Sequence, residues 1–321
     1  MSIKFKSSLV MAALIAGSTL FGTASAETLK IAIVAPSAKN DLAFTQSIVD
    51  GVEALKANHD IEYAITDGTF IVDDAAAAIR DYAKQGYDLV LAHGSQYGGS
   101  LKEIAPDFPD VAFAWGTSAD TFGLPNVSAY EAASDEGGFV MGAMAAAMSK
   151  TGTVGVVGPI EVGDAKLYVD GFVAGAKAQN ADIKANVNYI GSFSDVALSA
   201  EAGRAHISAG ADVLTGTAQM VVGAVGVARK EKAAWFGTQA NQAKLGPKSV
   251  VASQVYKWEV ALENIVQDMQ SGVLGGAKYV VTLANGGLAI EFNDKYPLDD
   301  DVRAVGEKMI AGIKDGSIET K

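Results

Sequence analysis

Two short segments set an aromatic ring beside a carboxylate. Ser37-Ala38-Lys39-Asn40-Asp41-Leu42-Ala43-Phe44-Thr45-Gln46 pairs an amide with an acid and places Phe44 about one helical turn on. Gly191-Ser192-Phe193-Ser194-Asp195 repeats the theme in the second half of the chain. Asn40 and Asp41 can offer donors and acceptors to the edge of a heterocycle, while Phe44 stacks on its face. Two such aromatics facing each other would sandwich a flat ring, each worth about 1 to 3 kcal/mol once the ring is desolvated. The same residue types have a structural use. Asp41 and Asp195 can cap the helices that follow them, with Phe44 and Phe193 anchoring those helices.

Two further segments are rich in neutral polar groups. His93-Gly94-Ser95-Gln96-Tyr97-Gly98-Gly99 combines Gln96 and Tyr97 with glycines that let a ligand approach the backbone. His93 itself reads as a satisfied strand-end histidine rather than a base. Gly237-Thr238-Gln239-Ala240-Asn241-Gln242 carries three amide side chains, which recognise a polar ligand without demanding charge.

Catalytic motifs are missing. The glycine loops lack the Gly-Lys-Ser/Thr ending of a phosphate cradle, Thr153 to Gly158 fails the GxGxxG spacing, and no Gly-x-Ser-x-Gly elbow occurs. With no Cys, thiolate chemistry, disulfides and Cys-based metal sites are excluded together. The 3 His would nearly all be needed for one His-based metal site. No catalytic residue, metal or cofactor is therefore expected. The rival class is an exported nucleoside hydrolase using Asp41 or Asp195 as acid or base.

The elements that must position these loops alternate strand and helix. Thr28 to Ala35, Ile61 to Ile65, Leu89 to Ala92, Val111 to Trp115 and Val127 to Tyr130 read as strands. Phe44 to Lys56, Ala75 to Lys84 and Leu101 to Ile104 read as the helices between them. Glu136 to Lys150 is a small-residue, Met-rich helix, after which a second series starts at Thr153 to Val157. It continues with Tyr168 to Gln179, Ala185 to Ile190, Ala197 to Ala209, Val213 to Thr215 and Val221 to Lys230. Gly152, Gly210 and Gly272 stand where post-helix glycines in left-handed conformation belong. Such alternation implies an α/β fold of two doubly wound lobes, each a parallel sheet covered on both faces. Ligands of such sheets lie beyond the carboxyl ends of the strands, where the loops above fall.

Residues 1–26 read as an export signal: Lys4 and Lys6, an apolar run from Leu9 to Phe21, then Ala24-Ser25-Ala26 before Glu27. The run is too short to span a membrane comfortably, and no Cys stands at the cleavage point to carry a lipid, so an unanchored periplasmic protein is expected. A chain of 321 residues is at the size where one core gives way to two. The 25 basic residues against 37 acidic, a net charge of −12, argue against nucleic acid or an anionic membrane surface as partner.

Taken together, the motifs resemble the basic membrane protein family of periplasmic ABC transporter substrate-binding proteins, whose best-understood members bind purine nucleosides. The resemblance rests on Asn40-Asp41-x-x-Phe44-x-Gln46 with Gly51, on Glu131 to Gly142 (EAASDEGGFVMG), and on Met148 to Gly155. Gly171-Phe172-x-x-Gly175, Gly191-Ser192-Phe193-x-Asp195 and Ala209 to Val213 extend it. It implies a two-lobed fold with three crossovers, lobe one taking residues 27–130 and about 256–281, lobe two about 131–255 and 282–321. It implies that Asn40 and Asp41 bond a purine edge on which Phe44 stacks, that Glu131 lies near the site, and that an inner-membrane permease is the partner of a monomer. Two departures stand out. Gln239 and Asn241 replace the carboxylates that hold ribose in the family, and the family lysine falls within Ser253 to Trp258, where alignment with Tyr256 rather than Lys257 alters the second ribose contact too. Loss of a charge-assisted hydroxyl contact costs about 1.5 to 3 kcal/mol, which makes a free nucleobase a serious alternative. Trp258 could form a flat wall in place of sugar contacts, or serve as core of the helix that follows.

Overall fold

The computed structural model describes residues 28–321; the expected leader and Glu27 lie outside the described residues. The chain opens with β1 (Leu29–Val34), α1 (Phe44–Leu55), β2 (Ile61–Thr66), α2 (Val72–Lys84), β3 (Leu89–His93), α3 (Gly98–Ile104), β4 (Ala112–Gly116) and β5 (Val127–Ala132). It continues with α4 (Ser134–Met148), β6 (Thr153–Gly158), α5 (Gly163–Gln179), β7 (Lys184–Tyr189), α6 (Val196–Ser208), β8 (Val213–Gly216), α7 (Val222–Glu231), β9 (Ala234–Gln239) and β10 (Val250–Tyr256). Then come α8 (Glu259–Gln270), β11 (Lys278–Val281), β12 (Leu288–Phe292) and α9 (Asp300–Lys314). Strand order is β2-β1-β3-β4-β5-β11 in one sheet and β7-β6-β8-β9-β10-β12 in the other. The chain thus passes between sheets three times, after β5, β10 and β11.

The first sheet is parallel throughout. The second departs from the all-parallel expectation at one edge, where β12 runs antiparallel to β10 with Leu288 opposite Tyr256. The cause is local. Lys257 N donates to Gly287 O at 2.8 Å, so β12 enters beside the carboxyl end of β10 and can only run back along it.

The buried face of β1 begins at Ile31 and is wholly apolar to Val34, as a strand covered on both sides must be. One apolar cluster runs through both lobes, holding Ile48 and Tyr130 together with Phe139, Met141, Met144, Val156 and Phe172. The small residues of α4 have a physical reason. A Cβ on Gly142 would sit 1.9 Å from the Phe172 carbonyl oxygen, and one on Gly175 1.9 Å from that of Phe139. The α4 and α5 backbones therefore touch. Gly210 and Gly272 directly follow the C-caps of α6 and α8 with φ of 94° and 84°, left-handed helix ends that only glycine adopts freely. Gly152, expected as a third, has φ of 70° but lies in the turn before β6, because α4 already ends at Met148 with Ser149 extended.

Candidate functional site

The carboxyl ends of the two sheets face a common cleft with about 420 Å³ of space in it, counting what is open to solvent. The first lobe lines it with Pro36, Phe44, Phe70, Ser95, Gln96 and Thr117; the second with Val162, Asp164, Ala165, Phe193, Ala218, Gln219 and Gln239. A larger recess of about 1260 Å³ opens at the amino ends of the first sheet, between Thr28, Asp60, Asp88 and Asp110. It has no Phe, Tyr or Trp among its walls, and lies at the wrong end of the strands for a doubly wound fold.

Phe44, the first residue of α1, is held from behind. Its ring stacks on His93 with centroids 4.1 Å apart and planes at 22°. His93 Nε2 lies 3.2 Å from the Phe44 carbonyl oxygen and Nδ1 2.8 Å from the Tyr130 hydroxyl. A carbonyl only accepts, so Nε2 carries the proton and Nδ1 accepts from Tyr130. Complete burial pushes the imidazole down to about 3, so it stays neutral and serves as a rigid support. Trp258, also buried, packs edge-on against Tyr130 and Tyr256.

Asp164 stands in the first turn of α5, 9% exposed. Its Oδ1 accepts from the Thr117 hydroxyl of the first lobe at 3.3 Å, and its Oδ2 from Tyr256 at 3.2 Å. Burial raises its pKa, while the two hydroxyls draw it back. Gln239 is 2% exposed and its Oε1 has no partner. It and Ala218 hold φ of 74° and 73°, a left-handed conformation that costs a non-glycine residue about 1 to 3 kcal/mol. Both line the cleft, which is where such strain concentrates.

Of the residues singled out from sequence, Phe44, Gln96, Phe193 and Gln239 reach the cleft together. The others do not line it. Asn40 is exposed in the turn before α1. Asp41 accepts from the backbone N–H of Ala43, Thr45 and Gln46 and from Ser37 Oγ, so the α1 N-terminus occupies its carboxylate. Asp195 caps α6 through Leu198 N at 2.9 Å. Neither has the freedom of a catalytic acid. Tyr97 is buried and donates to Thr69 O at 2.8 Å. Glu131 meets Lys278 at 3.0 Å. Asn241 donates to Glu291 at 2.7 Å, and Lys257 comes within 4.0 Å of the same carboxylate. Tyr256 reaches the site only through Asp164. Trp258 is core, its Nε1 donating to Ser47 Oγ at 2.9 Å, and a Cβ on Gly51 would come within 2.8 Å of its own Cβ.

Sequence reasoning missed Asp164, Thr117 and Gln219. The signal for Asp164 was present: Pro159 to Val162 follows a strand as the other loops do, but the helical pattern is legible only from Tyr168, so the turn carrying Asp164 goes unread.

The family model described as ABC transporter substrate-binding protein, PnrA-like, matches residues 28–320. A purine-binding protein of Brucella abortus is 27% identical over 311 residues, covering 95% of this chain and 87% of that protein. The transcriptional activator protein med of Bacillus subtilis is 27% identical over 272 residues, 84% of each. Among solved structures, an ABC transporter solute-binding protein of Conexibacter woesei superposes with a TM-score of 0.75 at 24% identity, over 91% of this chain and 98% of that one. One from Aeropyrum pernix gives 0.79 at 18%, over 91% and 92%.

Proposed function

The chain belongs to the family of PnrA-like ABC transporter substrate-binding proteins, and from that footing we propose that it captures a purine, as the free base, between its lobes. The observation that carries this reading is the pair Phe44 and Phe193, one from each lobe, lining a cleft whose remaining polar walls are mostly amides and hydroxyls. Flat aromatic ligands gain from two ring faces, and neutral groups suit a neutral base. The name of the Brucella abortus relative supports the purine class. Asn241 and Lys257 stand outside the cleft wall and Asn241 is bonded to Glu291, which supports the base over the nucleoside.

The physiological reading is a periplasmic monomer that hands its ligand to an inner-membrane ABC permease. Contacts from both lobes exist together only when the cleft is shut, so ligand shifts the population toward the form a permease would recognise. No helix among the described residues is long and apolar enough to cross a membrane. The Bacillus subtilis relative, named as a transcriptional activator, favours a second reading in which the same cleft serves sensing. Genes for a permease and an ATPase beside this one would decide for uptake. Native mass spectrometry of protein purified without refolding tests the ligand class: a retained purine base supports the reading, and a retained sugar or amino acid refutes it.

A further inference from the structure

Asp164 is the one ionisable side chain among those lining the cleft. It is nine-tenths buried, and no Lys, Arg or His pairs with it among the described residues. Its two side-chain donors are loose, and its other partners are the backbone N–H groups of Asp164 and Ala165. Hydroxyl-to-carboxylate bonds run to about 2.5 to 2.7 Å, whereas Thr117 and Tyr256 stand at 3.3 and 3.2 Å. Each carboxylate oxygen can accept a further hydrogen bond. Gln239 adds a second buried acceptor to the same cleft, its Oε1 unpartnered. A buried acceptor left without a donor is costly; Gln239 Oε1 has none, and Asp164 holds its hydroxyl donors loosely at the place where a ligand would sit.

That shortage defines what the ligand must bring: N–H groups, and no negative charge to set against a carboxylate that no cation neutralises. Resting on the purine reading above, we propose that Asp164 sets the chemistry of the ligand, selecting an uncharged purine that offers N–H donors and rejecting anionic ones. Adenine satisfies this description. Urate, an anion near neutral pH, and adenosine 5′-monophosphate do not, although both carry the purine ring that Phe44 and Phe193 would stack.

Titration calorimetry of the ligand-stripped protein with these three compounds at about pH 7.5 is the test, on the wild type and on Asp164→Asn. The wild type binds adenine, and urate and the monophosphate more weakly by roughly 100-fold or more, the scale of a buried like-charge encounter. Asp164→Asn keeps the shape but not the charge. It weakens adenine by roughly 10- to 100-fold and narrows the gap to urate. Urate bound by the wild type as tightly as adenine overturns the proposal without any variant. So does a folded Asp164→Asn protein with unchanged adenine affinity. A wild type that binds no purine at all fails in its own titration, and there it is the purine reading that falls, taking this inference with it.

Discussion

Phe44 and His93 lie ring on ring, 4.1 Å between centroids, and the histidine that holds the phenyl is itself held by the Phe44 carbonyl. The stacking face offered to the cleft is therefore braced by its own backbone. Phe44→Ala is expected to weaken purine binding by about 1 to 3 kcal/mol, and Phe193→Ala by a similar amount. Calorimetric affinities read this directly. Unchanged affinity in a folded Phe44→Ala protein would remove Phe44 from the site.

His93 also predicts a pH dependence. Its folded pKa, pushed down to about 3 by burial, lies below the ordinary value near 6.5. Between those two pH values the unfolded chain takes a proton that the native one refuses. Stability is therefore lost as pH falls through that window, by about 2 kcal/mol on reaching pH 5. Denaturant unfolding of the wild type and His93→Gln should show the wild-type advantage shrinking by that amount from pH 7 to pH 5. A difference independent of pH would contradict a buried neutral imidazole.

Trp258 separates core from site. Trp258→Phe removes the bond to Ser47 Oγ and part of a fully buried side chain, so it should cost about 1 to 3 kcal/mol of stability. Affinity for adenine should change by less than about twofold, because the indole lies behind the cleft rather than in its wall. A large affinity loss at unchanged stability would restore Trp258 as a ligand contact.

The α4 and α5 helices pack backbone against backbone. Gly142→Ala drives a methyl into the Phe172 carbonyl, and overpacking of this kind costs about 1 to 3 kcal/mol or more. Thermal unfolding should show a marked fall in midpoint. An unchanged midpoint would mean that the helices are not in backbone contact.

Much of this architecture is legible in the residues because strand and helix periodicities differ. The β-branched runs and their carboxyl-end loops lead to two doubly wound lobes, and the small residues from Glu136 to Lys150 mark a helix. What that helix packs against is tertiary: the backbone of α5 at Phe172 is what leaves no room for a side chain at Gly142. The site is less legible. An acid before a helix has the same appearance whether it binds a ligand or caps the helix, and Asp41 and Asp195 are engaged as caps. Asn241, Lys257 and Glu131 are drawn off by ion pairs and hydrogen bonds whose partners, Glu291 and Lys278, are distant in sequence. The antiparallel β12 depends on where one crossover re-enters its sheet, which no local pattern encodes.

As proposed, the cleft between the lobes takes a purine as the free base. Titrating adenine and adenosine in parallel into ligand-stripped protein tests it most directly. Saturable binding of one adenine per chain, tighter than adenosine, is the expected result. No measurable heat with either compound, or adenosine bound more tightly than adenine, would contradict it.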